Sequence, residues 1–396
     1  GRRERGGRGG AWRILGPMTD RALSLPDASP MHRALALAEQ ALWLTSPNPR
    51  VGCVITAPDG RVLGEGHTQR AGGPHAEIMA LRDAAARGHT VQGACAWVTL
   101  EPCAHQGRTG PCCDALAAAG IARVVVATGD PNPRVAGQGL ARLQAAGVQV
   151  QCLDATDPLA LQARELNVGF FSRMERQRPW VRMKIAASID GQTALANGQS
   201  QWITSEQARA DGHAWRARAC AVLTGIGTVL EDDPQLNVRG LNAPRQPHLV
   251  VVDSRLELPL SARLLDTQGE GEQARQIWVY SAAATPSTQR DALLARGVQV
   301  IDCPGPGGKV DLAAMLGDLA QREVNELHIE AGFKLNGSLM RTGLVDEWLL
   351  YVAPRWLGPG QGMAQLPALS QLSDVQALRF HAVDRVGPDL RLLLRR

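Results

Sequence analysis

His75, Glu77, Cys103 and Cys112 are the residues of this chain whose types and order could do chemistry together. The stretch "PHAEIMA", from Pro74 to Ala80, carries the first two. The stretch "EPCAHQGRTGPCC", from Glu101 to Cys113, carries the thiols, two of them directly behind a proline. One imidazole and two thiolates suit Zn2+, and three such ligands leave a fourth tetrahedral position for water. A water held there ionises at roughly pH 7. Glu77 is the group expected to take its proton and pass it on.

The order H-x-E followed by P-C and a second cysteine is the pattern of zinc deaminases, in which the Glu moves protons and is not a ligand. The second cysteine usually follows as C-x2-C; here the spacing is C-x8-C. The extra residues, "AHQGRTGP", must loop out beside the metal, where they can touch a substrate. They carry His105 and Arg108. Arg108 could grip a phosphate with two parallel hydrogen bonds; as a solvated loop arginine it would do nothing. Cys112 and Cys113 compete for the ligand role. The preceding proline favours Cys112 and leaves Cys113 to packing. On a regular helix, residues i and i+2 point apart. That both His75 and Glu77 reach one site is therefore an expectation of the pattern, not of the spacing.

From Met31 the sequence alternates helix and strand. "MHRALALAEQALWL" has helical apolar spacing, and "GCVIT" and "RVLGEG" read as strands joined by a turn at "APDG". "HAEIMALRDAAARG" and "CCDALAAAG" read as helices closed by Gly88 and Gly120. "CAWVTL", "ARVVVAT" and "VQVQCL" are strands, and "GQGLARLQAAG" is a helix, which gives a βαβ-rich layer. The pattern restarts at "WVRMKIAAS", so a boundary is placed near Glu175. A second alternation then runs through "AVLTGIG", "HLVVVDS", "QIWVYS" and "ELHIEAG", and "VDEWLLYVAP" is expected to close it. "CPGPGGK", from Cys303 to Lys309, lacks the Walker spacing and reads as a plain connection.

Composition narrows the function classes. Of 396 residues, 44% are hydrophobic and 20% charged, the balance of a globular chain. No apolar run is long enough to span a membrane, and the chain is expected to be cytoplasmic. The net charge of +4 (42 − 38) owes much to "GRRERGGRGGAWRILGPMTD". That segment has no secretory core. Residues 1–30 are expected to be a disordered extension, with Met18 or Met31 as possible starts. Three of the eight cysteines cluster beside His and Pro, which favours a metal site over disulfides.

The motifs together resemble one family. "SPNPRVGCVI", "GEGHTQRAGGPHAE", "EPCAHQGRTGPC" and "DPNPRVAGQGL" are similar to the deaminase half of the RibD family of bifunctional riboflavin-biosynthesis enzymes. "KIAASIDGQTA", "SQWITS", "GTVLEDDPQLNVR", "VVDS" and "EAGFKLNGSL" are similar to its reductase half. The resemblance runs from Met31 to the C-terminus.

The resemblance implies a fold of class α/β: a cytidine-deaminase-like α/β/α domain over 31–175, then a dihydrofolate-reductase-like α/β domain over 176–396. It implies hydrolytic deamination of 2,5-diamino-6-ribosylamino-4(3H)-pyrimidinone 5′-phosphate. NADPH reduction of the ribosyl to a ribityl chain follows, giving 5-amino-6-ribitylaminouracil 5′-phosphate. The zinc ligands carry over to His75, Cys103 and Cys112, with Glu77 as acid and base. Asn48 and His67 match positions lining the deaminase pocket.

In the reductase half no G-x-G-x-x-G follows a first strand, so a Rossmann site is excluded. Ala186, Trp202, Thr228, Asp232 and Ser254 match NADPH positions. The loop Gly332, Phe333, Lys334, Leu335, Asn336, Gly337, Ser338 is expected to offer backbone N–H groups to the cofactor phosphates. Phe333 departs from the family's usual proline or smaller residue. Ser200, Arg216, Leu236, Arg239 and Glu330 match substrate positions. Lys184 could polarise the opened sugar, with Glu330 handling a proton.

The partner implied is a small pyrimidine ribose-phosphate, with no nucleic acid and no membrane, and a homo-oligomer is expected. One rival reading is a zinc nucleobase deaminase of another substrate whose reductase-like domain is inactive. Another is an RNA-binding protein with an RGG-like tail, which would leave the zinc constellation without a purpose.

Overall fold

The computed structural model describes residues 29–104, 110–133, 135–269, 274–283 and 287–396. The expectations for residues 1–28, His105 and Arg108 lie outside them. The chain divides into two compact units, Ser24–Val181 with Arg216–Ala331, and Arg182–Trp215 with Gly332–Arg396.

The first of these begins with α1 (Pro30–Gln40), β1 (Gly52–Thr56), β2 (Val62–His67), α2 (Ala76–Ala86) and β3 (Cys95–Val98). There follow α3 (Cys112–Ala118), β4 (Arg123–Val126), α4 (Gln138–Ala145), β5 (Gln149–Cys152), α5 (Pro158–Leu166) and α6 (Val168–Arg176). Ser29 and Asp157 cap α1 and α5 through their side chains, each followed by a proline at the first helical position. The five strands form one sheet in the order β2-β1-β3-β4-β5. β1 runs antiparallel to its neighbours, whereas β3, β4 and β5 are parallel.

Strand side chains alternate between faces, and here both faces are apolar. Cys53, Ile55, Val124 and Val126 pack with Ala76, Ala80, Leu116 and Leu143. Val54 and Val125 point the other way, onto Met31, Ala34, Leu35 and Ala163. The sheet therefore lies between α2, α3 and α4 on one side and α1 and α5 on the other, the expected α/β/α layering.

Helix α2 sits unusually close to β2. A Cβ on Gly64 would fall 2.3 Å from the Ala80 carbonyl oxygen, and one on Gly66 would fall 2.4 Å from Met79 Cβ. Both strand positions require glycine, and the close approach fixes where the start of α2 lies.

Later in the chain come β6 (Trp180–Ser188), β7 (Gln192–Leu195), α7 (Glu206–Arg218), β8 (Ala221–Gly225), α8 (Ile226–Asp232), β9 (His248–Val252) and β10 (Ile277–Ser281). Then follow α9 (Thr288–Ala295), β11 (Gln299–Asp302), α10 (Leu312–Gln321), β12 (Glu326–Ile329), α11 (Phe333–Arg341), β13 (Glu347–Ala353), β14 (Gly360–Gly362), β15 (Arg379–Val386) and β16 (Asp389–Arg395). Parallel strands run in the order β11-β10-β9-β8-β12. The segment "CPGPGGK" is a connection, with one short 3-10 turn at Pro306–Gly308.

In this unit the N-terminal segment and the later strands are joined by a buried ion cluster. Arg50 Nη1 donates to Glu326 Oε1 at 2.5 Å, and Arg218 Nε donates to Glu326 Oε2 at 2.7 Å. Arg50 Nη1 also donates to the Leu166 carbonyl at 2.8 Å, and Asn167 exchanges two hydrogen bonds with the Arg50 backbone. Beside it, Asn325 Nδ2 donates to the Pro47 carbonyl at 2.7 Å, and Asn325 Oδ1 accepts from Arg173 Nε at 2.6 Å.

In the other unit β13 pairs parallel with β6 and antiparallel with β16, which pairs with β15; β14 pairs with β7. "VDEWLLYVAP" thus does not close the series, because β14, β15 and β16 follow it. The charges on β16 hid its strand character. Arg391 is 2% exposed and holds both oxygens of Asp211 at 2.9 and 3.0 Å. Tyr351 donates to the same carboxylate at 2.5 Å. The Trp215 ring lies 4.5 Å from the Arg182 guanidinium and 5.9 Å from that of Arg391.

Truncating one member of a buried ion cluster leaves its partners uncompensated. Glu326→Ala should lower the unfolding free energy by about 3–5 kcal/mol, read from denaturant midpoints. Arg33→Ala, which breaks an exposed pair with Glu65, should cost less than about 1 kcal/mol. Equal small losses in both variants would show that Glu326 is not what binds the two segments.

Candidate metal centre and reductase residues

Three elements deliver the three soft ligands. His75 is the N-cap of α2, Cys112 is the first residue of α3, and Cys103 lies in the loop that leaves β3. Their ligand atoms all lie within 4.8 Å of one another, and no other such group occurs among the described residues. His75 Nδ1 is 3.6 Å from Cys103 Sγ and 3.4 Å from Cys112 Sγ. Ideal zinc bond lengths at a tetrahedral angle put nitrogen and sulfur about 3.5 Å apart. The donor set and its spacing therefore fit zinc.

The two thiols also interact with each other and share one proton. The backbone N–H of Cys112 donates to Cys103 Sγ at 3.4 Å. The Cys103 thiol is held down, mainly because the Cys112 thiol donates to it, with His75 adding to the effect. Cys112 moves up for the complementary reason, since it is the donor in that contact. Cys113 is buried in the apolar core, and burial raises its thiol to about 11. It packs, as expected, and Cys112 meets His75.

His75 and Glu77 can share a site because His75 is not helical. Its φ of −78° and ψ of 170° are extended, so its ring is free of the helical fan. Glu77, one position into the helix, reaches the same site and is 3% exposed. Burial raises its carboxyl to about 7, and the Cys103 charge adds to the rise. A divalent cation among these ligands would pull it back down.

Glu101 is a further site residue that the sequence reading misses. It is buried and accepts from the backbone N–H groups of Asp130, Gly137 and Gly139 at 3.2, 3.0 and 3.0 Å. It pins the segment 130–139 against the loop that carries Cys103. An acidic residue directly before Pro102-Cys103 is the signal that could have found it. Asn48 is half-buried, with its N–H donating to the Thr45 carbonyl at 2.7 Å. His67 ends β2, its Nδ1 3.1 Å from the Thr68 carbonyl.

In the unit that contains the parallel strands, Arg216 and Glu330 form a two-pronged pair, Nε to Oε1 at 2.7 Å and Nη2 to Oε2 at 2.9 Å. Arg216 Nη1 also donates to the Asn237 carbonyl at 2.6 Å. Arg239 donates to Gln235 and Asn237 at 3.0 and 2.9 Å. Leu236 is buried at a positive φ of 50°, and its carbonyl accepts from Arg275 at 2.5 Å. Thr228 and Asp232 lie on α8, after β8, and Ser254 follows β9. Thr224 Oγ1 and Asp253 Oδ1, at those same strand ends, are buried without a hydrogen-bond partner among the described residues. Polar atoms left open there fit a bound polar cofactor.

In the other unit Lys184 and Ala186 lie on β6, and a Cβ on Gly212 would come 4.0 Å from Lys184 Cε. Ser200 precedes α7, and the Trp202 ring is 63% exposed with Arg209 stacked 4.5 Å from its centre. Gly332–Ser338 is not a loop. Gly332 is the N-cap of α11, and Phe333, Lys334, Leu335, Asn336, Gly337 and Ser338 are helical. Asn336 N–H already bonds the Gly332 carbonyl at 3.0 Å. Only the first-turn donors remain for an anion, aided by the helix dipole. The two glycines suggested a loop, but Gly337 is there for packing: a Cβ would fall 2.2 Å from the Gln365 carbonyl oxygen.

Comparison with known proteins matches residues 179–392 to the RibD C-terminal domain. Residues 26–128 match the cytidine and deoxycytidylate deaminase zinc-binding region. The riboflavin biosynthesis protein RibD of Escherichia coli is 44% identical over 92% of this chain and 98% of its own length. That of Aquifex aeolicus is 37% identical over 93% and 98%. Among solved structures, Acinetobacter baumannii RibD is 40% identical with a TM-score of 0.81, covering 92% of this chain and 97% of that one. A Thermotoga maritima protein described as a diaminohydroxyphosphoribosylaminopyrimidine deaminase/5-amino-6-(5-phosphoribosylamino)uracil reductase is 30% identical with a TM-score of 0.79, at 92% and 97% coverage.

Metal analysis checks the ligand set. The purified chain should carry about one zinc per molecule. Cys103→Ser and Cys112→Ser should each lose most of it, and Cys113→Ser should keep it. Zinc lost from Cys113→Ser but retained in Cys112→Ser would reverse the choice between the neighbours.

Proposed function

The chain belongs to the RibD family of bifunctional deaminase/reductases of riboflavin biosynthesis, and from that membership we propose which of its residues do the work. Zinc and NADPH are its cofactors. We assign residues 31–175 to the deaminase and 176–396 to the reductase. The substrate of the first step is 2,5-diamino-6-ribosylamino-4(3H)-pyrimidinone 5′-phosphate, and the final product is 5-amino-6-ribitylaminouracil 5′-phosphate.

His75, Cys103 and Cys112 hold the metal, which when bound supplies an activated water at neutral pH. Glu77 would carry two protons in turn, one from the activated water to the ring nitrogen and then one from the new hydroxyl to the amine that leaves as ammonia. The observation that carries this reading is the buried Glu77 carboxyl beside three converging soft ligands. Asn48 and His67 are assigned to hold the pyrimidine, and Arg108 to hold the phosphate.

For the reductase, NADPH when bound supplies the two electrons and hydrogen that reduce the sugar. We assign Ala186, Trp202, Thr228, Asp232, Ser254 and the segment 332–338 to the cofactor. Within that segment the first-turn N–H groups of α11 suit a phosphate. Ser200, Arg216, Leu236 and Arg239 are assigned to the substrate. Lys184 polarises the opened sugar, and Glu330 handles its proton while its pairing with Arg216 keeps the carboxylate in place.

No described helix is long and apolar enough to cross a membrane. A cytoplasmic location is supported by eight cysteines that are all free. A homo-oligomer is supported by an apolar strip along residues 366–383. Leu372 is 91% exposed, Phe380 66% and Val383 55%, and β15 forms the edge of its sheet. Sedimentation should find more than one chain per particle, and Phe380→Glu should dissociate it. A monomeric wild type at micromolar concentration would remove the oligomer from the reading.

A mass-spectrometric time course tests both activities. Without NADPH the pyrimidinone substrate should exchange an amine for oxygen, and adding NADPH should then add two hydrogens. Glu77→Gln should keep its zinc and slow the first step by at least about a hundredfold. Exchange without the later gain would leave a deaminase with an inactive second half. Zinc-loaded protein that does neither would sink the substrate assignment.

A further inference from the structure

A cavity of about 360 Å³ opens at the amino-terminal ends of the parallel strands, away from Thr228, Ser254 and Glu330. Cys220 precedes β8, Arg245 and His248 lead into β9, and Arg322 and Glu323 precede β12. Ser46 and Arg70 complete the wall from the N-terminal segment. Ligands of open α/β sheets gather at the carboxyl ends of the strands, where Thr228, Ser254 and Glu330 lie. This cavity is at the opposite end.

Its wall is rich in hydrogen-bond donors. Arg245 is tethered by Nη2, which donates to the Ala219 carbonyl at 2.9 Å, and its buried Nε has no partner among the described residues. His248 Nδ1 accepts from the backbone N–H of Gln276 at 3.1 Å, which leaves the ring proton on Nε2. Burial, followed by the nearby Arg245 and Arg275 charges, lowers His248 to about 4, so it is a neutral donor at physiological pH. Arg70 is exposed and forms no ion pair among the described residues. Arg322 is committed to Asp318 at 2.6 Å.

Glu323 is the one acidic residue on the wall. Behind it, Arg50 and Arg218 already share the Glu326 carboxylate, so Arg245 adds charge that Glu326 does not balance.

We propose that this cavity binds a small phosphate monoester of sugar-phosphate size. A phosphate offers acceptor oxygens and negative charge to a guanidinium with open N–H groups. The volume is that of a small-molecule pocket. The phosphate could belong to the enzyme's own ribose-phosphate reactants or to another phosphorylated metabolite, and the chemistry of recognition is the same. The site does not depend on the residue roles assigned above.

Titration calorimetry of the zinc-loaded full chain with ribose 5-phosphate, and with ribose as control, tests it. Ribose 5-phosphate should bind and ribose should not. Arg245→Gln and Arg70→Gln should each weaken binding by about tenfold or more, the loss expected for a charged hydrogen bond. Arg70 is exposed, so its variant keeps the test decisive if Arg245→Gln fails to fold. Equal affinity in wild type and Arg70→Gln, or no phosphate-dependent binding at all, overturns the proposal.

Turnover separates the two sources. A raised KM for deamination with kcat unchanged marks the enzyme's own reactant, and unchanged kinetics with lost binding marks another metabolite. Failure of the catalytic reading would look different, as absent turnover with ribose 5-phosphate binding intact.

Discussion

Helix α2 can lie against β2 only because the strand presents no side chains at Gly64 and Gly66. That backbone contact sets the height of the helix start over the sheet. His75 and Glu77 stand at that start, so the position of one candidate ligand and of the proposed proton carrier follows from two missing methyl groups. The other two ligands are positioned by separate packing on the same sheet. α3 begins at Cys112, and Glu101 and Arg142 hold the loop of Cys103, Arg142 by donating to the Ala104 carbonyl at 2.7 Å. Three separate packing arrangements thus converge on one point, and a shift in any one of them would open the N···S distances that suit zinc.

The residues we assign to the reductase depend on a different device, ion pairs placed where water is scarce. Arg216 and Glu330 fix each other in two directions, and the Asn237 carbonyl fixes the arginine in a third. In the other unit Trp215, Arg391 and Asp211 play a comparable part for the strands of the C-terminal region. Charged groups used in this way have few alternative partners. They give a defined geometry to a region whose sequence carries no single compact motif.

How much of this was legible in the sequence follows from how local each signal is. The zinc constellation was readable because ligand chemistry restricts residue types, and the two prolines mark which cysteines matter. The layered sheet was readable from alternating apolar runs such as "GCVIT" and "RVVV", whose successive residues serve opposite faces. β15 and β16 were missed because their inward charges are neutralised by distant residues, as Arg391 is by Asp211, and pattern reading counts a charge as solvent-facing. Residues 332–338 were misread because Gly337 looks like a turn residue until the Gln365 backbone it must clear is known. Glu326 escaped the reading, since nothing local in the strand "ELHIEAG" marks a carboxylate that will be enclosed.

Glu326 also bears on why two activities share one polypeptide. Its carboxylate sits on a strand of the later half, while Arg50, Leu166 and Asn167, which complete its surroundings, come from the earlier half. A chain severed between α6 and β6 would have to keep the halves together by affinity alone. Each fragment released from the other would present to solvent a charge shaped for enclosure, Arg50 on one and the Arg218–Glu326 pair on the other. Separating the two functions into independent proteins would therefore call for a redesign of this contact, together with the bonds that Asn325 makes to Pro47 and Arg173, and not merely a new stop and start.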